Sequence, residues 1–216
     1  MATPLVHVWN QREIVTADTM NKYVRDPHKF LYAPPACKVT AKQRGTYTGS
    51  NPADAVDRGA WLPFNQWKTV PFYPPGKGTM KGEEYDTTGG LMTKANSSGH
   101  VWNLVAPEDG LYAVTFSCVL ETNGESNNVH FRLGKDQRTD ADWTSGYASF
   151  ASHCPGRAHY ASDGTGRYVA HITSTINLKK DQTMSAGGVA DKDFLLGRYN
   201  LPGRSSLEMR WVGRLP

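Results

Sequence analysis

From Leu111 to Leu120 the chain alternates between two kinds of residue. Tyr112, Val114, Phe116, Cys118 and Leu120 are bulky and apolar, whereas Leu111, Ala113, Thr115, Ser117 and Val119 are smaller and partly polar. Period-two alternation marks a strand with one face on a core. A proline, an acidic pair and a glycine precede this strand in Ala106–Gly110, and Asn123-Gly124 follows it, so turn chemistry brackets it on both sides. The grammar recurs downstream. Tyr168, Ala170, Ile172, Ser174, Ile176 and Leu178 alternate with Val169, His171, Thr173, Thr175 and Asn177, and Leu207, Met209 and Trp211 alternate with Glu208, Arg210 and Val212. The pattern predicts strands at 36–42, 60–65, 69–73, 89–95, 100–105, 111–120, 128–133, 146–151, 167–178, 183–189 and 206–214. Many antiparallel strands with no helix between them predict a mainly β fold, a sandwich or jelly roll.

The N-terminal segment reads differently. Thr16 stands at an N-cap position before Ala17-Asp18, and Met20, Tyr23 and Val24 fall on one helical face, which predicts a helix over 16–26. Pro27 is expected to end or break it, leaving a short turn at 27–31 and an extended Ala33-Pro34-Pro35 linker. The expected division is an arm and linker at 1–35 and a β sandwich at 36–216. A lone helix of this length is marginal in water, so it needs its own domain or a partner to dock on.

Composition sharpens this picture. In 216 residues, Gly 21 and Pro 13 are spread as punctuation between short apolar runs, as a strand-rich domain requires. A net charge of +4 with no cationic run longer than Lys179-Lys180 argues against nucleic acid as partner. Cys37, Cys118 and Cys154 are odd in number and lack paired spacing, so buried free thiols formed in a reducing cytosol are expected. No secretory leader pattern and no apolar stretch of membrane-spanning length is present, so membrane insertion is not expected.

Catalytic and metal motifs are weak. His153, Cys154 and His159 share a loop, with His130 and His171 on strands, but their spacing does not match a structural zinc site. There is no nucleophile elbow, zincin helix or phosphate-cradling loop. Glu83-Glu84 and the Asp140/Asp142 pair could serve a glycosidase only if two carboxyls faced each other across a cleft, so no catalytic residue, metal or cofactor is assigned. The aromatics are a better lead. Trp67, Trp102, Trp143 and Tyr147 lie in or beside loop-like segments, and exposed rings stack on sugars or anchor interfaces; Trp67, Trp143 and Tyr147 are the expected ligand contacts.

The succession "EDGLYAVTF", "VHFRLG", "INLKKDQTMSAGG" and "LEMRWVGRL" resembles the C1q/TNF-like jelly roll. The opening "EIVTADTMNKYVRD", followed by "FLYAPPACKV" and "EEYDTTGG", is similar to minor tail and related virion proteins of phages that infect actinobacteria. The resemblance implies a non-enzymatic virion component assembled in the host cytoplasm. It further implies a homotrimer, with Leu111, Ala113, Thr115 and Ser117 at the subunit contact and an arm docked on another virion protein through Met20, Tyr23, Val24, Phe30 and Leu31. Placement in the tail tip or baseplate, contacting the host surface and its cell-wall glycan, is the leading expectation. Capsid decoration against the major capsid protein is the second, and a glycan-cleaving enzyme on a β scaffold is the reading from another class.

Overall fold

The computed structural model describes residues 7–41, 61–62, 67–70, 72–73, 85–95, 101–123, 129–136, 149–153, 159–160, 165–190, 194–196 and 205–213. Trp143, Tyr147, Cys154 and the two acidic pairs lie outside these residues.

Thr16 caps the arm as expected. Its hydroxyl accepts from the Thr19 N–H at 3.2 Å while the Thr19 hydroxyl accepts from the Thr16 N–H at 2.7 Å, a reciprocal capping box. Helix α1 (Ala17–Met20) then runs into a π-helical turn (Asn21–Arg25) and on into α2 (Asp26–Tyr32). Pro27 therefore does not end the helix. A proline ring clashes with the carbonyl four residues back, here that of Tyr23, and supplies no N–H for it. The wider π turn before it, in which the Asp26 N–H reaches the Asn21 carbonyl, lets the helix continue.

The strands follow in chain order: β1 (Ala36–Ala41), β2 (Trp61–Leu62), β3 (Lys68–Thr69), β4 (Phe72–Tyr73), β5 (Tyr85–Asp86), β6 (Thr93–Ala95), β7 (Val101–Val105) and β8 (Gly110–Asn123). Then come β9 (Val129–Lys135), β10 (Ser149–His153), β11 (His159–Tyr160), β12 (Thr165–Leu178), β13 (Thr183–Ala190), β14 (Phe194–Leu196) and β15 (Ser206–Gly213). Residues 89–92 form a turn instead of the expected strand. Gly89 and Gly90 adopt φ of 72° and 99°, and the Asp86 carboxylate gathers the loop by accepting from the Thr88 N–H, the Met92 N–H and the Thr93 hydroxyl.

All pairings are antiparallel, in the order β10-β9-β13-β7-β4-β1-β15-β8-β12-β11. Strands β10, β9, β13 and β7 make one layer and β1, β15, β8, β12 and β11 the other, with β4 bonded to both. The expected phase of β8 is the buried one: Tyr112, Val114 and Phe116 are wholly inaccessible and Cys118 nearly so. Phe116 meets Phe131 of the opposite layer at 5.5 Å and Phe72 at 6.5 Å between ring centroids. Val39, Leu104, Leu133, Ile172, Ile176, Met184, Leu207 and Met209 complete a single core cluster.

Two crossovers between layers, β7 to β8 and β12 to β13, lie side by side. The Ala106 N–H donates to the Gln182 carbonyl and the Asp181 N–H to the Ala106 carbonyl, each at 2.8 Å, and the Lys180 N–H donates to Asp109 at 2.7 Å. The buried Tyr112 hydroxyl donates to the Glu108 carbonyl at 2.7 Å, so that this phenol is met inside the fold. Cys37 and Cys118 are buried, and burial pushes the Cys118 thiol far up, the Ser205 hydrogen bond opposing it. Replacing Phe116 by alanine is expected to destabilise the sandwich by about 3–5 kcal/mol through lost burial and a residual cavity. Chemical denaturation should show one cooperative transition at lower denaturant.

Candidate interaction surfaces

Strand β8 pairs along one side with β12 over fourteen consecutive positions and along the other with β15. That register decides what its second face presents. Leu111, Ala113, Thr115 and Ser117 are half-buried and lie in a row, opposite Asn177, Thr175, Thr173 and His171 of β12. On the other side Thr115 faces Glu208 and Ala113 faces Arg210. All four expected contact residues thus share one outward sheet face.

A hydroxyl ladder crosses this face. Thr115 Oγ1 and Thr173 Oγ1 are 3.2 Å apart, Ser117 Oγ lies 2.9 Å from His171 Nδ1, and Thr173 Oγ1 lies 3.2 Å from His171 Nε2. The second imidazole nitrogen meets a hydroxyl, not a carboxylate, so the Ser117–His171 pair lacks the acid that orients a catalytic histidine. The ladder fixes the rotamers of these side chains.

Beside it, Tyr85 donates to Glu208 at 2.9 Å, and Lys38 is the register partner of Glu208 on β1. The Tyr85 phenol is pushed up from 10.0 to about 12, first by burial and then by the hydrogen bond to Glu208 and its charge.

The arm carries a second surface. Val8, Trp9, Ile14, Val15, Met20, Leu31 and Tyr32 are exposed, Leu31 at 71% and Tyr32 at 87%. Elsewhere among the described residues the exposed large apolar side chains are Tyr85, Leu91, Trp102 and Val212. The head of the arm folds back on itself. His7 stacks on Tyr23 at 4.1 Å, Trp9 stands edge-on to His7 at 4.5 Å, and His7 Nε2 lies 2.8 Å from Glu13 Oε1. Glu13 also accepts from the Asn10 N–H at 3.0 Å, and these bonds, the backbone one first, hold its carboxyl below the ordinary value.

Of the expected docking residues, Met20 and Leu31 are exposed and Tyr23 and Val24 half-buried. Phe30 is placed differently from these four. It is fully buried, its ring edge-on to Trp211 of its own sandwich at 4.7 Å, because α2 continues past Pro27 and turns this side chain inward. Trp67 is half-buried, with the Arg132 guanidinium 4.4 Å from its ring centroid. Trp102 is exposed on β7. Sequence periodicity did not point to Val8, Trp9, Ile14, Val15 or Tyr32. Their density in a short segment was the signal available.

Among the described residues no group of three His, Cys, Asp or Glu side chains could hold a metal ion, and no helix is long and apolar enough to cross a membrane. No protein-family model matches the chain, and no curated protein matches it.

Glu208→Gln is expected to bring the Tyr85 pKa down from about 12 but not to 10.0, since burial remains. A phenol raised on folding contributes stability fully below pH 10 and loses it as pH climbs through 12, so the variant should lose its contribution earlier on the alkaline side. Ultraviolet difference titration against Tyr85→Phe reads the shift.

Proposed function

We propose that this chain is a structural component of a phage virion and not an enzyme. It is read as a C1q/TNF-like jelly roll that trimerises through the Ala113/Thr115 face and is fastened by its N-terminal arm to another virion protein. Its place is the tail tip or baseplate, where its loops, Trp67 among them, meet the host cell-wall glycan. The observation that carries this reading is the concentration of exposed apolar side chains on residues 8–32, beside a sandwich that fills its own core. Fully burying a side chain such as leucine stabilises by roughly 1.5–3 kcal/mol, so such an arm gains by finding a partner.

The hydroxyl-lined face supports the trimer. Small side chains let neighbouring sheets approach, and cyclic assembly needs one such surface on every subunit.

Two variants test the two surfaces separately. Met20→Glu with Leu31→Glu alters exposed positions, so the melting temperature should hold while incorporation into particles falls at least tenfold. Normal incorporation would overturn the docking role. Thr115→Arg sets a cation beside Glu208 within the subunit, so the fold should stand, yet it crowds the proposed contact. Light scattering should then give a folded monomer, and a persistent trimer would move the interface elsewhere. Copy number per particle separates tail from capsid, and release of reducing sugar from host wall would overturn the non-enzymatic reading.

A further inference from the structure

Among the described residues the joint between arm and sandwich rests on few contacts. Phe30 is the arm's one fully buried side chain among the described residues, and it lies outside the main core cluster. Among the described residues no hydrogen bond links residues 7–33 to the sandwich. The first such bonds come at the prolines, where the Thr87 hydroxyl donates to the Pro34 carbonyl at 3.0 Å and the Trp211 N–H donates to the Pro35 carbonyl at 2.8 Å.

The partner ring is unusual. Trp211 closes the end of the core beside Gly110, where a Cβ would come within 2.2 Å of the indole nitrogen. That nitrogen is buried and meets no acceptor among the described residues. A buried donor left unmet opposes the state that buries it. Phe30 thus docks by aromatic contact on a ring that also carries an unmet buried donor.

We propose that Phe30 and Trp211 form a releasable latch. In the closed state Phe30 covers Trp211. In the open state α2 swings away about Ala33, the stiff Pro34-Pro35 pair staying with β1, so that water reaches the indole. Opening sets Phe30 beside Leu31 and Tyr32, which are already exposed, and so completes a three-residue apolar run for a partner. A partner that binds the open arm better draws the equilibrium toward it. This rests on the arm being the docking element, but the latch itself is a property of the isolated chain.

Amide hydrogen exchange of α2 in the full-length protein tests it. Trp211→Phe keeps an aromatic edge for Phe30 and removes the unmet donor, so α2 exchange should slow by roughly fivefold or more. Phe30→Ala should raise α2 exchange to that of an undocked helix while β8 and β12 stay protected. Should Trp211→Phe also loosen β8, benzothienylalanine at 211, which keeps the bicyclic shape without the N–H, gives the decisive comparison. Unchanged or faster α2 exchange in that variant would overturn the latch, as would Phe30→Ala leaving α2 unchanged. Leu31→Glu separates the two ideas. It should abolish particle docking with α2 exchange unaltered, so loss of the latch and loss of the docking reading give different results.

Discussion

The structure turns on the two-sided pairing of β8. One face of that strand fills the core with Tyr112, Val114 and Phe116, and its edges are bonded to β12 and β15. A strand held on both edges has no freedom to slip, because a shift of one residue would put Thr115 into the core and Phe116 into water. Everything on the outward face inherits its position from this register. Thr115 meets Thr173, and Ser117 meets His171, only because the core has already chosen the phase.

Much of this was legible beforehand. The long strands announce themselves by alternation, and the apolar phase of 112–118 is the buried one. The Thr16 cap could be read because it depends on residues three apart. What escaped has a physical reason in each case. Strands β5, β11 and β14 are too short to display a period, and pair only where a longer neighbour offers an edge. The helix across Pro27 needed a π turn that propensity alone does not predict. The contacts Phe30–Trp211 and Trp67–Arg132 join positions far apart in the chain, and local pattern carries no register. The outward row Leu111, Ala113, Thr115 and Ser117 was legible as a row, but not its neighbours.

The corner at 106–109 and 179–182 shows how the layers are joined without loss of backbone bonding. Each crossover supplies acceptors for the other, and Asp136 at the end of β9 accepts from the Gln182 amide and the Thr183 N–H. The opposite arrangement holds at the arm. There the linker is secured through Thr87, whose hydroxyl accepts from the Ala36 N–H, while among the described residues the helix ahead of the prolines is held by the aromatic contact of Phe30 with Trp211. A bonded collar beside a lightly held lever makes the arm, among the described residues, the part with the least to lose by moving.

Strand β1 lies between β15 and β4, and its pairs run Cys37 to Met209 and Val39 to Leu207. The first strand of the sandwich thus waits for the last. During synthesis β1 leaves the ribosome before β15, and the sheet cannot close along that edge until β15 follows it out. Such long-range closure is slow, since the entropy of a long loop is lost before its contacts form. Assembly of the sandwich is therefore timed by the emergence of β15, which bonds both β1 and β8.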